Sequence, residues 1–157
     1  MKLQFLTPGK SRPEFVEEGV AFYANRVRQF ANLQVIETKE AKGGQKQNAE
    51  ELKKQESDHL LKSLSSSADR IILLDERGKH FSSEEFAHHI NGFFHMGQSN
   101  LVFMAGGAYG FSSELYHKAH EKMAISKMTF PHQLIRVMFL EQLYRAFTII
   151  HNHPYHH

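Results

Sequence analysis

The sequence predicts an α/β fold: a single domain with a mainly parallel sheet flanked by helices. Two observations carry that expectation. Short apolar runs alternate with longer segments of helical spacing along the whole chain, the order that builds strand–helix–strand units. Two of the runs, Arg70–Asp75 and Asn100–Ala105, are apolar through Ile71–Leu74 and Leu101–Ala105, as strands buried on both faces are. Neither an internal repeat nor a linker composition divides the 157 residues, so one domain is expected over 1–157.

Each element has its own signal. Lys2–Thr7 reads as a strand that ends at Pro8-Gly9. Glu14–Phe30 has helical spacing, with Phe15, Val20, Phe22, Tyr23 and Val27 as apolar positions, and Pro13 suits a first turn. Leu33–Glu37 is a second strand. Thr38–Asn48 is polar and carries Lys39, Lys42, Gly43, Gly44 and Lys46, so a mobile loop is expected there. Ala49–Leu64 is a charged helix, with Ser65-Ser-Ser67 as its breaker. After the strand at Arg70–Asp75, Ser82-Ser-Glu-Glu85 opens a serine-capped helix to about Met96. Asn100–Ala105 leads into Gly106-Gly-Ala-Tyr-Gly110, and Ser112 or Ser113 caps the next helix. Ala124–Met128 is the last strand expected and His132–Ile150 the last helix.

Composition narrows the class. Hydrophobic residues make up 41 % of the chain, which places it among globular proteins rather than disordered ones. It has no cysteine, hence no disulfide framework and no cysteine zinc site. Arg136, Glu141 and Arg145 interrupt the longest apolar candidate for a membrane span. With the opening apolar stretch too short for a signal peptide, a cytoplasmic protein is expected. A net charge of +2 does not by itself announce a nucleic-acid binder, so any RNA contact must come from local patches.

The last helix is apolar all round. Leu134, Ile135, Val137, Met138, Phe139, Leu140, Leu143, Tyr144, Phe147, Ile149 and Ile150 fall on every side of the wheel. Such a helix must be covered on every side, by the chain's own core or by a second copy of it.

Three segments close strands at what would be one edge of a parallel sheet, where α/β folds place ligands. They are Leu73-Leu-Asp-Glu-Arg-Gly-Lys79, Gly106-Gly-Ala-Tyr-Gly110 and Ile125-Ser-Lys-Met-Thr-Phe-Pro131. Their backbone groups can hold a purine edge and an amino-acid moiety, with Leu74, Ile125 and Met128 as apolar contacts. A tight strand-to-helix turn would use the same glycines. The glycines do not form G-x-G-x-x-G, and no acidic residue closes an early strand, which argues against a nicotinamide cofactor. Gly9-Lys10-Ser11 is no P-loop, because Gln4 stands where its first glycine belongs; Lys10 and Arg12 read as loop cations within reach of RNA phosphate. Glu141 and Arg145 share one helix face at i,i+4 spacing, either as a structural ion pair or as an arginine held ready for phosphate or a uracil oxygen. His151, His153, Tyr155, His156 and His157 make a titratable tail. No cysteine or nearby carboxylate joins it, so no metal is expected.

The wording from Ser126-Lys-Met-Thr-Phe-Pro-His-Gln-Leu-Ile-Arg136 through Glu141-Gln-Leu-Tyr-Arg-Ala-Phe147, closing on Asn152-His-Pro-Tyr-His-His157, resembles the RlmH group of SPOUT methyltransferases. These are small bacterial enzymes that methylate a pseudouridine of large-subunit ribosomal RNA. The resemblance runs from Met1-Lys-Leu-Gln4 to the tail. It implies a trefoil knot over roughly 70–157, a homodimer paired through the last helix, and S-adenosyl-L-methionine as methyl donor. It carries donor binding to Leu74, Gly106, Gly107, Ile125, Ser126, Lys127, Met128, Thr129 and Phe130, and points for catalysis to Tyr155, His156, Arg145 and Glu141. Members of the group often carry Arg or Lys where this chain has His157. The expected reaction is methyl transfer to N3 of the pseudouridine, on assembled ribosomes, with large-subunit ribosomal RNA as partner. Two other classes use the same features: a catalytically silent ribosome-binding module, and a metal-dependent hydrolase built on the histidine tail.

Overall fold

The computed structural model of the chain describes residues 1–41, 48–64 and 67–155. Five strands, β1 (Lys2–Pro8), β2 (Asn32–Thr38), β3 (Arg70–His80), β4 (Asn100–Ala105) and β5 (Glu121–Ala124), form one sheet in the order β2-β1-β4-β3-β5. All four pairings are parallel. The helices between them are α1 (Glu14–Val27), α2 (Ala49–Lys62), α3 (Ser83–His95), α4 (Ser113–Lys118) and α5 (His132–Ile150).

Alternation along the strands sorts the core into two layers. Leu3 and Phe5, Ile72 and Leu74, Leu101 and Phe103 face one side, where they meet α1, α3 and α5. Leu6, Ile71 and Leu73, Val102 and Met104 face the other, against Leu60 of α2 and Leu115 of α4. Burial on both faces explains why Ile71–Leu74 of β3 and Leu101–Ala105 of β4 are continuously apolar.

The helix starts follow their caps. Ser82 and Glu85 make a reciprocal capping box at α3, and Ser112, not Ser113, caps α4 through Leu115 N–H. Asn48, expected in the loop, caps α2 by accepting from Glu51 N–H at 2.9 Å. Thr38 closes β2, while Lys42, Gly43, Gly44 and Lys46 of the expected loop, and Ser65 and Ser66 of the expected breaker, lie outside the described residues.

Two strands depart from expectation. β3 does not give way to a polar loop after Asp75; it runs to His80. Met123 of β5 pairs with both Leu74 and Lys79, so the residues between them bulge out of the ladder. Gly78 makes this possible, since a Cβ there would lie 2.5 Å from Met123 N and 2.6 Å from the Lys122 carbonyl carbon. β5 is Glu121–Ala124 rather than Ala124–Met128. As an edge strand with exposed Lys122, it lacks the apolar run that the sequence reading looked for.

α5 packs between α1 and α3 and onto the sheet. Phe139, Leu140, Leu143, Ala146 and Phe147 are fully buried, and each large side chain among them contributes about 1.5–3 kcal/mol by leaving water. The helix is thus covered on three sides by its own chain. Its fourth side, at helical spacing, presents the half-buried Leu134, Met138, Glu141, Gln142, Arg145 and Ile149. On α1, Phe15 and Phe22 are 61 % and 51 % exposed, so that helix turns apolar surface toward solvent.

Candidate functional site

Parallel strands carry their following loops to one edge, and three of those loops enclose a pocket of ≈ 610 Å3, a size suited to a nucleoside-scale ligand. Leu74, Gly106, Gly107, Ile125, Ser126, Met128, Thr129 and Phe130 all line it. Lys127 lies on the same loop but is not part of the lining. Ser126 Oγ accepts from Met128 N–H at 2.9 Å and shapes that loop. Thr129 Oγ1 donates to Glu76 Oε2 at 3.3 Å, tying the β5 loop to the β3 bulge.

The glycines form a tight turn and the pocket wall at once. Gly110 N–H donates to Gly107 O at 3.2 Å, and a Cβ on Gly106 would sit 3.1 Å from Gly110 Cα. A Cβ on Gly107 would strike the Glu56 carboxylate of α2. Next to it, the buried Ser57 Oγ accepts from Ser112 N–H at 2.8 Å, so α2 braces the loop from behind. Burial first, then Glu40, pushes the Glu56 carboxyl above its usual range, and its Oε2 has no partner among the described residues.

Several pocket residues escaped the sequence reading. Asp75, Arg77 and Tyr116 form a polar cluster on the wall. Asp75 accepts from the Tyr116 hydroxyl, from Arg77 N–H at 2.8 Å, and from the Arg77 guanidinium at 3.3 and 3.4 Å. Burial pushes the Asp75 carboxyl up, but the hydrogen bonds from Tyr116 and Arg77 together outweigh it and hold the group below its usual range. His132 and Ile135 bring the first turn of α5 to the pocket. Burial, then the charge of Arg136, lowers the His132 pKa, so this imidazole is neutral near pH 7.

Arg136 itself is 1 % exposed. It donates to Pro8 O at 2.6 Å, Gly9 O at 3.0 Å and Ser11 Oγ at 3.2 Å. Gln133 adds two bonds, accepting from Arg12 N–H at 3.0 Å and donating to Lys10 O at 3.1 Å. The loop after β1 is therefore latched to the start of α5, and Lys10 and Arg12 are carried on it.

The residues assigned to catalysis lie elsewhere. Glu141 Oε1 accepts from Arg145 Nε at 3.0 Å and Nη2 at 2.7 Å. The Arg145 guanidinium stands 5.1 Å over the Tyr155 ring, and Tyr155 packs edge-on against Tyr144 at 4.5 Å. The Tyr155 hydroxyl reaches Glu141 Oε1 at 3.5 Å. Burial, then Tyr23 and Glu141, pushes the Tyr155 phenol up to about 12. None of these three side chains lines the pocket of its own chain. Ile135 is at the pocket and Arg145 lies ten residues on, about 15 Å along the helix. His156 and His157 lie outside the described residues.

Among the described residues, no group of three or more His, Asp or Glu side chains could hold a metal ion, and no helix is long and apolar enough to cross a membrane.

Known proteins with the same organisation are methyltransferases. The family model described as Predicted SPOUT methyltransferase matches residues 1–156. The Ribosomal RNA large subunit methyltransferase H of Geobacter sulfurreducens is 46 % identical over 157 residues, covering all of both chains. The protein of that name from Cytophaga hutchinsonii is 43 % identical, again over the full length of both. In the crystal structure of a probable methyltransferase from Bordetella pertussis Tohama I the same fold recurs, with a TM-score of 0.53 and 13 % identity over 93 % of this chain and 96 % of that one. With its full length matched by the family and by relatives well above 30 % identity, the chain belongs to the SPOUT methyltransferases.

Proposed function

We propose that this enzyme transfers the methyl group of S-adenosyl-L-methionine to N3 of a pseudouridine in large-subunit ribosomal RNA, acting as a homodimer on assembled ribosomes in the cytoplasm. The observation that carries the reading is the pocket at the ends of β3, β4 and β5, with the names of the full-length relatives beside it. Its walls fit such a donor. Leu74, Ile125 and Met128 offer apolar surface to a purine, and the backbone at Gly106 and Gly107 leaves a cradle that a Cβ could not share with Gly110 and Glu56. Leu74, Gly106, Gly107 and the Ile125–Phe130 loop would hold it. The segment 70–157 is read as the knotted part, a topology that general folding rules do not supply.

When bound, the donor supplies an electrophilic methyl group on a sulfonium. The protein's part is to align the base nitrogen and to deal with a weakly acidic imide proton. Arg145, oriented by Glu141, is suited to a uracil oxygen on which charge develops. Tyr155 is suited to donating a hydrogen bond rather than to taking the proton. With its pKa pushed up to about 12, the phenol keeps its proton near neutral pH. The proton then passes to His156 or to solvent.

The distance between the pocket and the Glu141–Arg145–Tyr155 group supports a composite site. That group lies on the fourth side of α5, which also carries Leu134 and Met138, and the Arg26 guanidinium stands 6.0 Å from the Tyr155 ring and 4.5 Å from the exposed Phe22 ring. Pairing two chains through this surface would cover the apolar residues and offer one chain's tail to the other's pocket.

Mass spectrometry of ribosomal RNA nucleosides from cells with and without the gene tests the reading. Loss of one methylated pseudouridine on deletion is expected; an unchanged nucleoside profile refutes the proposed substrate.

A further inference from the structure

We propose that a second depression, lying against the methyl-donor pocket, is a phosphodiester site that holds one backbone phosphate of the RNA substrate. Arg77, Tyr116, Ala119, His120, Glu121 and Lys122 line it, and Arg77 and Tyr116 line the methyl-donor pocket as well. The two depressions therefore share a wall. The inference rests on the ribosomal RNA reading above and adds the surface by which that substrate is held.

Three donors converge there for reasons internal to the fold. The β3 bulge carries Arg77 outward, and its bonds to Asp75 and Tyr116 fix the guanidinium. Those bonds use Nε and Nη2; Nη1 donates to nothing among the described residues, and the side chain is 69 % exposed. Lys122 is exposed, with its Nζ 5.6 Å from the centroid of the Tyr116 ring. The Arg77 guanidinium lies at the same distance from that ring, so two cations approach one aromatic.

His120 supplies the third donor. Its ring Nδ1 accepts from Ile71 N–H at 3.0 Å, while the His120 backbone N–H donates to Ile71 O at 2.9 Å. A backbone N–H can only donate, so Nδ1 carries no proton and the ring hydrogen is on Nε2. The exposed imidazole thus offers an N–H without needing a charge.

Acidic neighbours are turned away or engaged. Glu121 lines the depression too, but its side chain alternates to the other face of β5 from Lys122, where Oε2 meets His89 Nε2 at 2.8 Å and Oε1 is buried without a partner among the described residues. Glu76 accepts from Thr129, and Asp75 is occupied by Tyr116 and Arg77. A forked guanidinium, an ammonium and an imidazole N–H suit a tetrahedral anion. The nucleotide being methylated must enter the adjoining pocket, which brings its neighbouring phosphates to this rim. Free phosphate shares the chemistry, but the shared wall favours a phosphate covalently joined to the substrate.

Lys122→Glu and His120→Asn test the site, because neither residue belongs to the methyl-donor lining. Asparagine keeps an acceptor for Ile71 N–H and removes the Nε2 donor. Methyl transfer to ribosomes is measured over a range of salt, with S-adenosyl-L-methionine titrated calorimetrically into the same preparations. For Lys122→Glu, KM should rise about tenfold, the scale of one charge-assisted hydrogen bond, with kcat and donor affinity kept. The dependence of log KM on log salt should become shallower by roughly 0.7–0.9, one phosphate's share. His120→Asn should raise KM less, leaving the salt slope unchanged. If neither variant moves KM or the salt slope, the site is overturned; so too if donor affinity falls in parallel, which would assign the depression to the donor. Should the wild type methylate no ribosomal RNA, the substrate reading fails separately, and titration with a ribosomal RNA fragment still decides the site: equal affinity of wild type and Lys122→Glu overturns it. Saturable binding of inorganic phosphate that both variants abolish, with RNA affinity unmoved, would mark a small-anion site and overturn the proposal as well.

Discussion

Arg136 and Arg145 stand nine residues apart on one helix, and the fold uses them in opposite ways. Arg136 is sealed in the interior, holding two backbone carbonyls and a serine hydroxyl, and burial pushes its pKa down despite Glu37, Glu40 and Glu56. Arg145 is half-buried on the outward side, and its hydrogen bond to Glu141 pushes its pKa up. The first arginine fastens chain segments that are distant in sequence. The second keeps its charge near solvent, paired but reachable. An arginine within an apolar helix is therefore not a functional signal until its partners are known: backbone carbonyls mean construction, while a carboxylate at the surface leaves the guanidinium available to a ligand.

The contrast breaks most visibly at Arg136. Arg136→Met should leave Pro8 O and Gly9 O buried without donors and cost about 3 kcal/mol or more of stability. Urea unfolding measures this, and a loss within about 1 kcal/mol would mean that the latch is incidental. Arg145→Ala should show the reverse profile. Methyl transfer should fall roughly a hundredfold, while stability drops by about 1 kcal/mol or less, as for a partly exposed pair. A stability loss matching that of Arg136→Met would erase the distinction.

Deleting Tyr155–His157 sharpens the same comparison at the end of the chain. Donor affinity should hold, stability should fall by about 1 kcal/mol, chiefly through the lost Tyr144–Tyr155 contact, and transfer should drop roughly a hundredfold. Mixed with full-length Gly106→Val, the truncated chain should regain part of its activity, since the heterodimer pairs one intact pocket with one intact tail. Heterodimers shown to form but without recovery would put tail and pocket in the same chain.

The smallest effect concerns acid. Asp75 has a folded-state pKa below its usual value, so the stability it contributes is present above the ordinary carboxylate range, near about 4. It is lost as pH falls through the folded value. Urea midpoints measured downward from pH 6 should decline less steeply for Asp75→Asn than for the wild type. Parallel declines would mean that the Tyr116 and Arg77 bonds do not survive in solution.

The parts of this molecule set by local pattern were legible in its sequence. The buried strands β3 and β4, the caps at Ser82 and Ser112, and the alternation that makes the sheet parallel all follow from short-range rules. Strand direction indicated the sheet edge, and eight of the nine residues that the family resemblance assigned to donor binding line one pocket there. What stayed hidden depends on long-range pairing. Tyr116 and Asp75 are 41 positions apart, and Arg136 and Pro8 are 128. Glu56 lies on a charged helix whose pattern does not distinguish the carboxyl beneath Gly107 from those facing water. The continuation of β3 past Asp75 was masked by charge, because Glu76-Arg-Gly-Lys79 has a polar loop's composition, yet the strand rejoins β5 at Lys79 and His80 after the bulge.

Gly78 gives that continuation an evolutionary cost. Even an alanine there would meet the β5 backbone at Met123 rather than a movable side chain. The bulge that follows Leu74 presents Arg77 to both depressions, so one collision would disturb two surfaces together. In a saturation library spanning 74–80, position 78 should return glycine alone under selection for activity, although it touches no substrate. Residues 76 and 77 should drift as substrates change. The bulge would then behave as an interchangeable cassette on a single immovable rivet, and a search for altered RNA preference should randomise the cassette and leave the rivet.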